Sequence, residues 1–128
     1  MKMFIVEDVP QTRQALAEIF AAQEGFQLVG QAGSVREALD GLQAIVPDAM
    51  TLDISLPDGS GLAVLQHVRR CGWETCVVVL TAHPYEALRT RCYTLGATAV
   101  LDKFDGLDQA LRAVLARCKN ASENGRAR

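Results

Sequence analysis

The sequence predicts an α/β protein in which one five-stranded parallel sheet is covered by helices on both faces. Four short apolar runs and one further strand-like segment, at residues 26–31, recur along the 128 residues, and a helix-length segment follows each of them. Strands buried on both faces are apolar along their whole length. Regular alternation of such strands with helices is typical of a parallel sheet with right-handed crossovers.

The first half of the chain contains three predicted strands and two predicted helices. The strands are expected at residues 2–7, 26–31 and 49–53. The first helix is expected at residues 10–23, because Pro10 suits a first helical turn and Gly25 suits the position just past a helix end. The second helix is expected to start at the N-cap Ser34, with Glu37 completing a capping box, and to stop at Pro47.

The second half continues the alternation and ends in a polar segment. Helices are expected at residues 62–70 and 84–96, and strands at residues 75–80 and 98–101. A last helix is expected to start at Asp105 or Asp108. Residues 1–119 are therefore predicted to form one domain. Residues 120–128 are polar without apolar periodicity, so we expect a flexible tail there.

The charge balance and hydropathy exclude two classes of function. The net charge is −2, without the basic face that a nucleic-acid-binding protein requires. No apolar stretch approaches the roughly 20 residues of a membrane span, and the N-terminus has no signal-peptide pattern. We therefore expect a cytoplasmic protein with no membrane contact and no direct nucleic-acid binding.

The four cysteines have neither the spacing of a metal site nor that of a redox motif. Cys71, Cys76, Cys92 and Cys118 form no C-x-x-C pair and no Cys/His cluster. In a reducing compartment such cysteines are ordinarily free thiols. We therefore predict four free thiols, buried or half-exposed.

Polar residues stand where four of the apolar runs end. They are Glu7, Asp8, Asp53, Thr81 and Lys103. Because ligands bind at the carboxyl ends of the strands in an open parallel sheet, these side chains are expected to converge. Carboxylates hold a hard cation such as Mg²⁺, whereas a hydroxyl and an ammonium hold an anion. The combination predicts Mg²⁺-assisted phosphoryl transfer to an aspartate.

These residues and the motifs between them resemble the receiver domains of bacterial two-component response regulators, the CheY-like family. The resemblance rests on Glu7-Asp8, Asp53, Pro57-Asp58-Gly59, Thr81-Ala82, Gly96-Ala97 and Lys103, and it covers residues 2–119. It implies the strand order 2-1-3-4-5. It also implies a signalling protein that catalyses only its own phosphorylation and dephosphorylation. The phosphoryl group would come from a sensor histidine kinase, a phosphotransfer protein or a small acyl phosphate.

The resemblance assigns a role to each site residue. Asp53 would be the phosphoacceptor, and Mg²⁺ would be held by Glu7, Asp8, Asp53 and the backbone carbonyl of Ser55. Thr81 would hydrogen-bond a phosphoryl oxygen and Lys103 would pair with its charge. Ala82 leaves room for the donor, and the positions of Ser55 and His83 influence the lifetime of the acyl phosphate in the family. Phosphorylation would alter partner binding through the face formed by the fourth helix, fifth strand and fifth helix, which is also a plausible homodimer surface.

One position departs from the family pattern. Receivers usually have Tyr or Phe three residues before the lysine, and here that residue is Val100. Valine cannot make the inward swing of an aromatic ring, so the usual switch coupling is in doubt. Tyr93 or Phe104 is a candidate replacement by proximity in the sequence.

Alternative functions remain open at this level. The chain could be a receiver-like interaction module that does not switch, or the N-terminal part of a DNA-binding transcriptional regulator, since Lys103-Phe104-Asp105 resembles receivers that precede a helix-turn-helix. An aspartate-based phosphatase is disfavoured because Ser55 stands where those enzymes have a second acid. Flavin binding on the same fold is disfavoured because no hydroxyl-rich phosphate loop follows the first strand.

Overall fold

The central feature of the structure is a parallel five-stranded sheet. The computed structural model describes the backbone of residues 1–126 and the side chains of residues 1–121. The strands are β1 (Lys2–Val6), β2 (Gln27–Ala32), β3 (Ala49–Asp53), β4 (Cys76–Thr81) and β5 (Ala99–Asp102). They pair in the order β2-β1-β3-β4-β5, and every pair is parallel. The predicted fold class and strand order are thus confirmed.

Five helices connect the strands and cover both faces. They are α1 (Pro10–Ala21), α2 (Val35–Gly41), α3 (Leu62–Arg70), α4 (Glu86–Thr94) and α5 (Leu107–Arg126). Neighbouring strand residues point to opposite faces, so Phe4 and Val6 pack in one core cluster and Met3 and Ile5 in the other. The first cluster lies under α2, α3 and α4, and the second lies under α1 and α5.

Several element boundaries differ from those predicted. The helix α2 ends at Gly41, well before Pro47, because the chain tightens there into i→i+3 turns: the amide of Gln43 donates to the carbonyl of Asp40. The helix α4 begins at Glu86, two residues after Pro84, because its N-cap Tyr85 is extended (φ −71°, ψ 158°). Strands and α1 shift by only one or two residues, as periodicity fixes the middle of an element better than its ends.

The last helix runs past the residue at which we expected the domain to end. The backbone of α5 stays helical to Arg126, seven residues beyond residue 119. Residues 127 and 128 lie outside the described residues. The division into a domain and a flexible tail stays a prediction.

The prediction of four free thiols is wrong for two of them. Cys76 and Cys118 are joined by a disulfide, with their Cα atoms 6.3 Å apart, whereas Cys71 and Cys92 are free. The tertiary structure brings the first residue of β4 against the inner side of α5. Because 42 residues separate the two cysteines, no local sequence motif indicates that they pair.

A short hairpin and a tight backbone contact complete the loop after β3. Ser55–Leu56 pairs antiparallel with Gly59–Ser60. The next residue, Gly61, lies so close to β3 that a Cβ atom there would be 2.0 Å from the backbone oxygen of Asp53. The position therefore excludes a side chain, and the loop beneath the end of β3 is held in one place.

The described residues contain no helix long and apolar enough to cross a membrane.

Candidate functional site

The predicted site residues meet at the carboxyl edge of the sheet. Asp53 ends β3, the central strand, and Glu7 and Asp8 follow β1 beside it. On the other side of β3, Thr81 ends β4, and Lys103 follows β5. The parallel order brings these residues together although up to 96 positions separate them in the sequence.

Lys103 joins the two buried carboxylates at the centre of this group. Its Nζ lies 2.7 Å from Glu7 Oε1 and 3.1 Å from Asp53 Oδ2. Glu7 is 1% exposed and Asp53 is 4% exposed. Two carboxylates this close to each other repel strongly when both are charged and desolvated. The ammonium of Lys103 offsets that repulsion.

The protonation equilibria reflect burial and this pairing. Burial, followed by the hydrogen bond with Asp53, raises the pKa of Glu7 from 4.5 to about 7, against the opposing effect of Lys103. Burial alone would lower the pKa of Lys103, but its hydrogen bonds to Glu7 and Asp53 outweigh that effect and raise it. The lysine is therefore charged, and Glu7 is the group that takes up a proton near neutral pH.

The acidic residues also have the arrangement of a cation site. One ligand oxygen from each of Glu7, Asp8 and Asp53 lies within 4.8 Å of the others. The second oxygen of Glu7, Oε2, is buried without a hydrogen-bond partner among the described residues. Buried polar atoms are ordinarily paired, so this orphaned oxygen points to a missing ligand. A set of carboxylate oxygens fits Mg²⁺, which prefers oxygen ligands.

The residues around Asp53 and Thr81 leave hydrogen-bonding capacity in the site. The amide of Ser55 donates to Asp53 Oδ1 at 3.1 Å. The amide of His83 donates to Thr81 Oγ1 at 3.2 Å, while the imidazole of His83 is exposed, as expected. Because Thr81 Oγ1 is the acceptor in that contact, its own O–H remains able to donate into the site.

Asp58 has a role that the sequence analysis missed. Its two carboxylate oxygens accept the backbone N–H groups of Val35 at 2.8 Å and Arg36 at 3.0 Å. These hydrogen bonds lower the pKa of Asp58. Ser34, as predicted, accepts the amide of Glu37 at 3.1 Å. Two side chains thus cap α2. The cap by Asp58 cannot be recognised from the local sequence, because Asp58 is 22 or more residues away from the helix start.

The open edge of β5 is covered by side chains of α4 at the position that departs from the family pattern. Val100 is 2% exposed. Its amide donates to the hydroxyl of Tyr93 at 3.2 Å, and its carbonyl accepts from the guanidinium of Arg89 at 3.1 Å. Of the two candidate aromatic replacements, Tyr93 therefore contacts Val100. Phe104 is 78% exposed and does not lie in the core.

Comparison with known proteins agrees with the class that fold and site define, that of receiver-type domains. The chain matches the family described as the response regulator receiver domain over residues 3–115. A putative transcriptional regulator of Pseudomonas aeruginosa is 34% identical over 115 residues, which are 90% of this chain and 55% of that protein. The chain thus spans about half the length of the curated relatives it matches.

Two solved receiver structures share the fold. The receiver domain of a putative response regulator NarL from Mycobacterium tuberculosis has a TM-score of 0.82 at 26% identity, over 92% of this chain and 95% of that one. The response regulatory domain of protein mrkE from Klebsiella pneumoniae has a TM-score of 0.86 at 24% identity, over 97% and 99%. The chain belongs to the response regulator receiver domain family. It is therefore a signalling domain of two-component systems.

Proposed function

We propose that this receiver accepts a phosphoryl group on Asp53 and thereby switches its partner binding. The observation that carries the proposal is the buried ion-pair cluster, in which Lys103 contacts both Glu7 and Asp53 beside an orphaned carboxylate oxygen. A cluster of buried acids held by one lysine is costly as a purely structural element. It is useful where an anionic group and a cation must be bound together.

The residues divide the chemistry between them. A carboxylate oxygen of Asp53 attacks phosphorus, the bond from phosphorus to the donor's leaving group breaks, and an acyl phosphate forms. The ammonium of Lys103 pairs with the charge on the phosphoryl oxygens, and the free O–H of Thr81 donates to one of them. Ala82 leaves room for the donor. His83, next to Ala82, and Ser55 stand at the two positions whose side chains influence the rate of acyl phosphate hydrolysis in the family.

A magnesium ion is the cofactor that fits this site. The carboxylates of Glu7, Asp8 and Asp53, with the backbone carbonyl of Ser55, would hold it. When bound, it supplies charge neutralisation to the phosphoryl oxygens. An ion held by these residues would account for the buried oxygen of Glu7, Oε2, that has no hydrogen-bond partner among the described residues.

The first test is intact mass after incubation with acetyl phosphate. We expect the protein to gain one phosphoryl group in the presence of Mg²⁺ and none after EDTA treatment, because the ammonium of Lys103 alone does not neutralise the clustered carboxylates and a dianionic phosphoryl donor together. Beryllofluoride binding, followed by amide chemical shifts, serves as the control for slow donors or fast hydrolysis. No mass gain together with no beryllofluoride response would exclude the switch. It would leave the receiver-like interaction module as the function.

The switch path that the structure favours runs through α4. Thr81 leads directly into the loop before α4, and α4 holds Val100 through Arg89 and Tyr93. Because valine has no ring to swing, we propose that these two backbone contacts couple α4 to β5 in place of the usual aromatic. A shift of α4 would then change the hydrogen bonding along the free edge of β5.

A Tyr93→Phe variant tests this coupling. Phosphorylation should be unchanged, because Tyr93 lies outside the site. The shift of the Val100 amide signal on phosphorylation should shrink, and stability should fall by about 1 kcal/mol through loss of one hydrogen bond. Tyr85→Phe is the matched control, since Tyr85 is exposed at the start of α4. An unchanged Val100 response in Tyr93→Phe would rule the coupling out.

The remaining proposals concern the setting of the switch. We propose that it works in the cytoplasm, that a sensor histidine kinase or phosphotransfer protein supplies the phosphoryl group, and that the α4–β5–α5 face is read by an output partner or a second copy. Relatives about twice as long, described as transcriptional regulators, support a place at the N-terminal end of a DNA-binding regulator. Light scattering on the protein treated with acetyl phosphate tests the homodimer. A phosphorylation-dependent doubling of the molar mass is the result expected of it.

A further inference from the structure

The second chemically active feature lies at the opposite edge of the sheet from the phosphoacceptor site. A cavity of about 620 Å³ opens there between the start of β4 and the last turns of α5. Its walls include both members of the disulfide, Cys76 and Cys118, together with the side chains of Trp73 and Arg117. Cys118 is half-buried, whereas Cys76 is buried. The disulfide can therefore be reached from solvent on its Cys118 side.

We propose that Cys76 and Cys118 form a reversible thiol–disulfide site that exchanges with small thiols of the glutathione class. This inference rests on the proposed cytoplasmic setting. Disulfides in mesophilic cytoplasmic proteins are usually transient and redox-sensing, because the thiol pool keeps structural pairs reduced. A disulfide that borders an open cavity has the access that exchange requires.

The exchange consumes two small thiols. The thiolate of the first attacks Sγ of Cys118, the Cys118–Cys76 bond breaks, and the Cys76 thiolate leaves and takes up a proton. A second thiolate then attacks the small-thiol sulfur of the mixed disulfide and releases the Cys118 thiolate, which is protonated in turn. The protein gains two electrons and two protons, and the two small thiols become their disulfide. The cavity wall carries the guanidinium groups of Arg69 and Arg117 as well as the carboxylates of Asp48 and Glu74, so the charges that an anionic thiolate meets there are balanced.

Exchange would change how the end of α5 is held. Leu111, Val114 and Leu115 bury the first half of α5 in the core, in either redox state. Further along, the disulfide and the hydrogen bond from Lys119 Nζ to the carbonyl of Glu24, at 2.9 Å, hold the helix to the rest of the domain. The dithiol form loses this covalent link and keeps the packing of Cys118 against the core and the exposed hydrogen bond of Lys119. The redox state would therefore determine how rigidly the C-terminal turns of α5 are held. These turns belong to the proposed output face.

The experiment is a redox titration of the unphosphorylated protein. A Cys71→Ser protein is used, so that the exposed free thiol cannot form mixed disulfides. It is equilibrated at a series of ratios of reduced to oxidised glutathione and alkylated under denaturing conditions, and its intact mass is then measured. We expect a change from disulfide to dithiol within the series, with amide exchange in residues 116–126 becoming faster as the dithiol forms. Cys118→Ser should show the faster exchange at every ratio.

Three outcomes would overturn the inference. They are a dithiol at every ratio, a disulfide at every ratio, and a full conversion that leaves amide exchange in residues 116–126 unchanged. Acetyl phosphate labelling of the same samples is read separately, because the titration requires no phosphate. A protein that is not phosphorylated can still show reversible disulfide exchange, and a protein that is phosphorylated can fail to show it.

Discussion

The Asp53→Asn protein should gain no phosphoryl group from acetyl phosphate and Mg²⁺, under conditions in which the unmodified sequence is labelled. An amide nitrogen or oxygen is a far weaker nucleophile than a carboxylate, and the substitution also removes one of the three clustered acids. The expected loss is complete within the detection limit of intact mass measurement. The change is nearly isosteric, so the fold should persist, and circular dichroism would verify this.

Asp58→Asn is the matched control for that experiment. Asp58 lies five residues after Asp53, and its side chain faces the N-terminus of α2 and not the acidic cluster. Its labelling should match that of the unmodified sequence. Labelling that survives Asp53→Asn, with the phosphoryl group mapped by peptide mass to Glu7 or Asp8, would mean that the phosphoacceptor is misassigned.

The Lys103→Met protein should be destabilised by about 3 kcal/mol or more at pH 8 in EDTA. Removing one partner from a buried ion pair leaves uncompensated charge, which typically costs 3–5 kcal/mol. Here Glu7 and Asp53 would lose their shared cation. Because Lys103 lowers the pKa of Glu7, its removal raises that pKa above about 7, and the expected loss of stability grows as the pH rises through that range. Urea unfolding followed by circular dichroism measures the loss.

Two further measurements separate this electrostatic effect from lost packing. Lys119→Met removes an ammonium whose contact is exposed, so its cost should stay below about 1 kcal/mol. Glu7→Gln combined with Lys103→Met should restore part of the lost stability, because the double variant leaves one buried carboxyl group in the pair where Lys103→Met alone leaves two. If Lys103→Met unfolds at the same urea concentration as the unmodified sequence, the lysine does not offset the carboxylate repulsion.

The coarse fold and the identity of the site residues are contained in the sequence. Short β-branched runs such as Val77-Val78-Val79, separated by helix-length segments, are typical of parallel strands buried between two layers of helices. Polar residues that end successive parallel strands meet at one edge by geometry alone. That is why Glu7, Asp8, Asp53, Thr81 and Lys103 were predicted before any coordinates and are found together.

Element ends were predicted less well, since they depend on contacts that the local sequence does not contain. The helix α2 stops at Gly41, although its apolar pattern continues towards Pro47. The helix α5 continues to Arg126, although its apolar pattern fades after Cys118. In both cases the apolar pattern of the buried face does not mark the residue at which the helical hydrogen bonds stop.

The sequence by itself determined the fold class, the strand order through its family resemblance, and the set of polar residues that meet at the carboxyl edge of the sheet. Only the tertiary structure decided that Lys103 bridges Glu7 and Asp53, that Asp58 caps α2, and that Tyr93 holds Val100. It also joined Cys76 to Cys118, against the prediction of free thiols. Periodicity and residue type act locally along the chain and can be read from it. Contacts between residues far apart depend on how the layers pack, and the packing exists only in the folded protein.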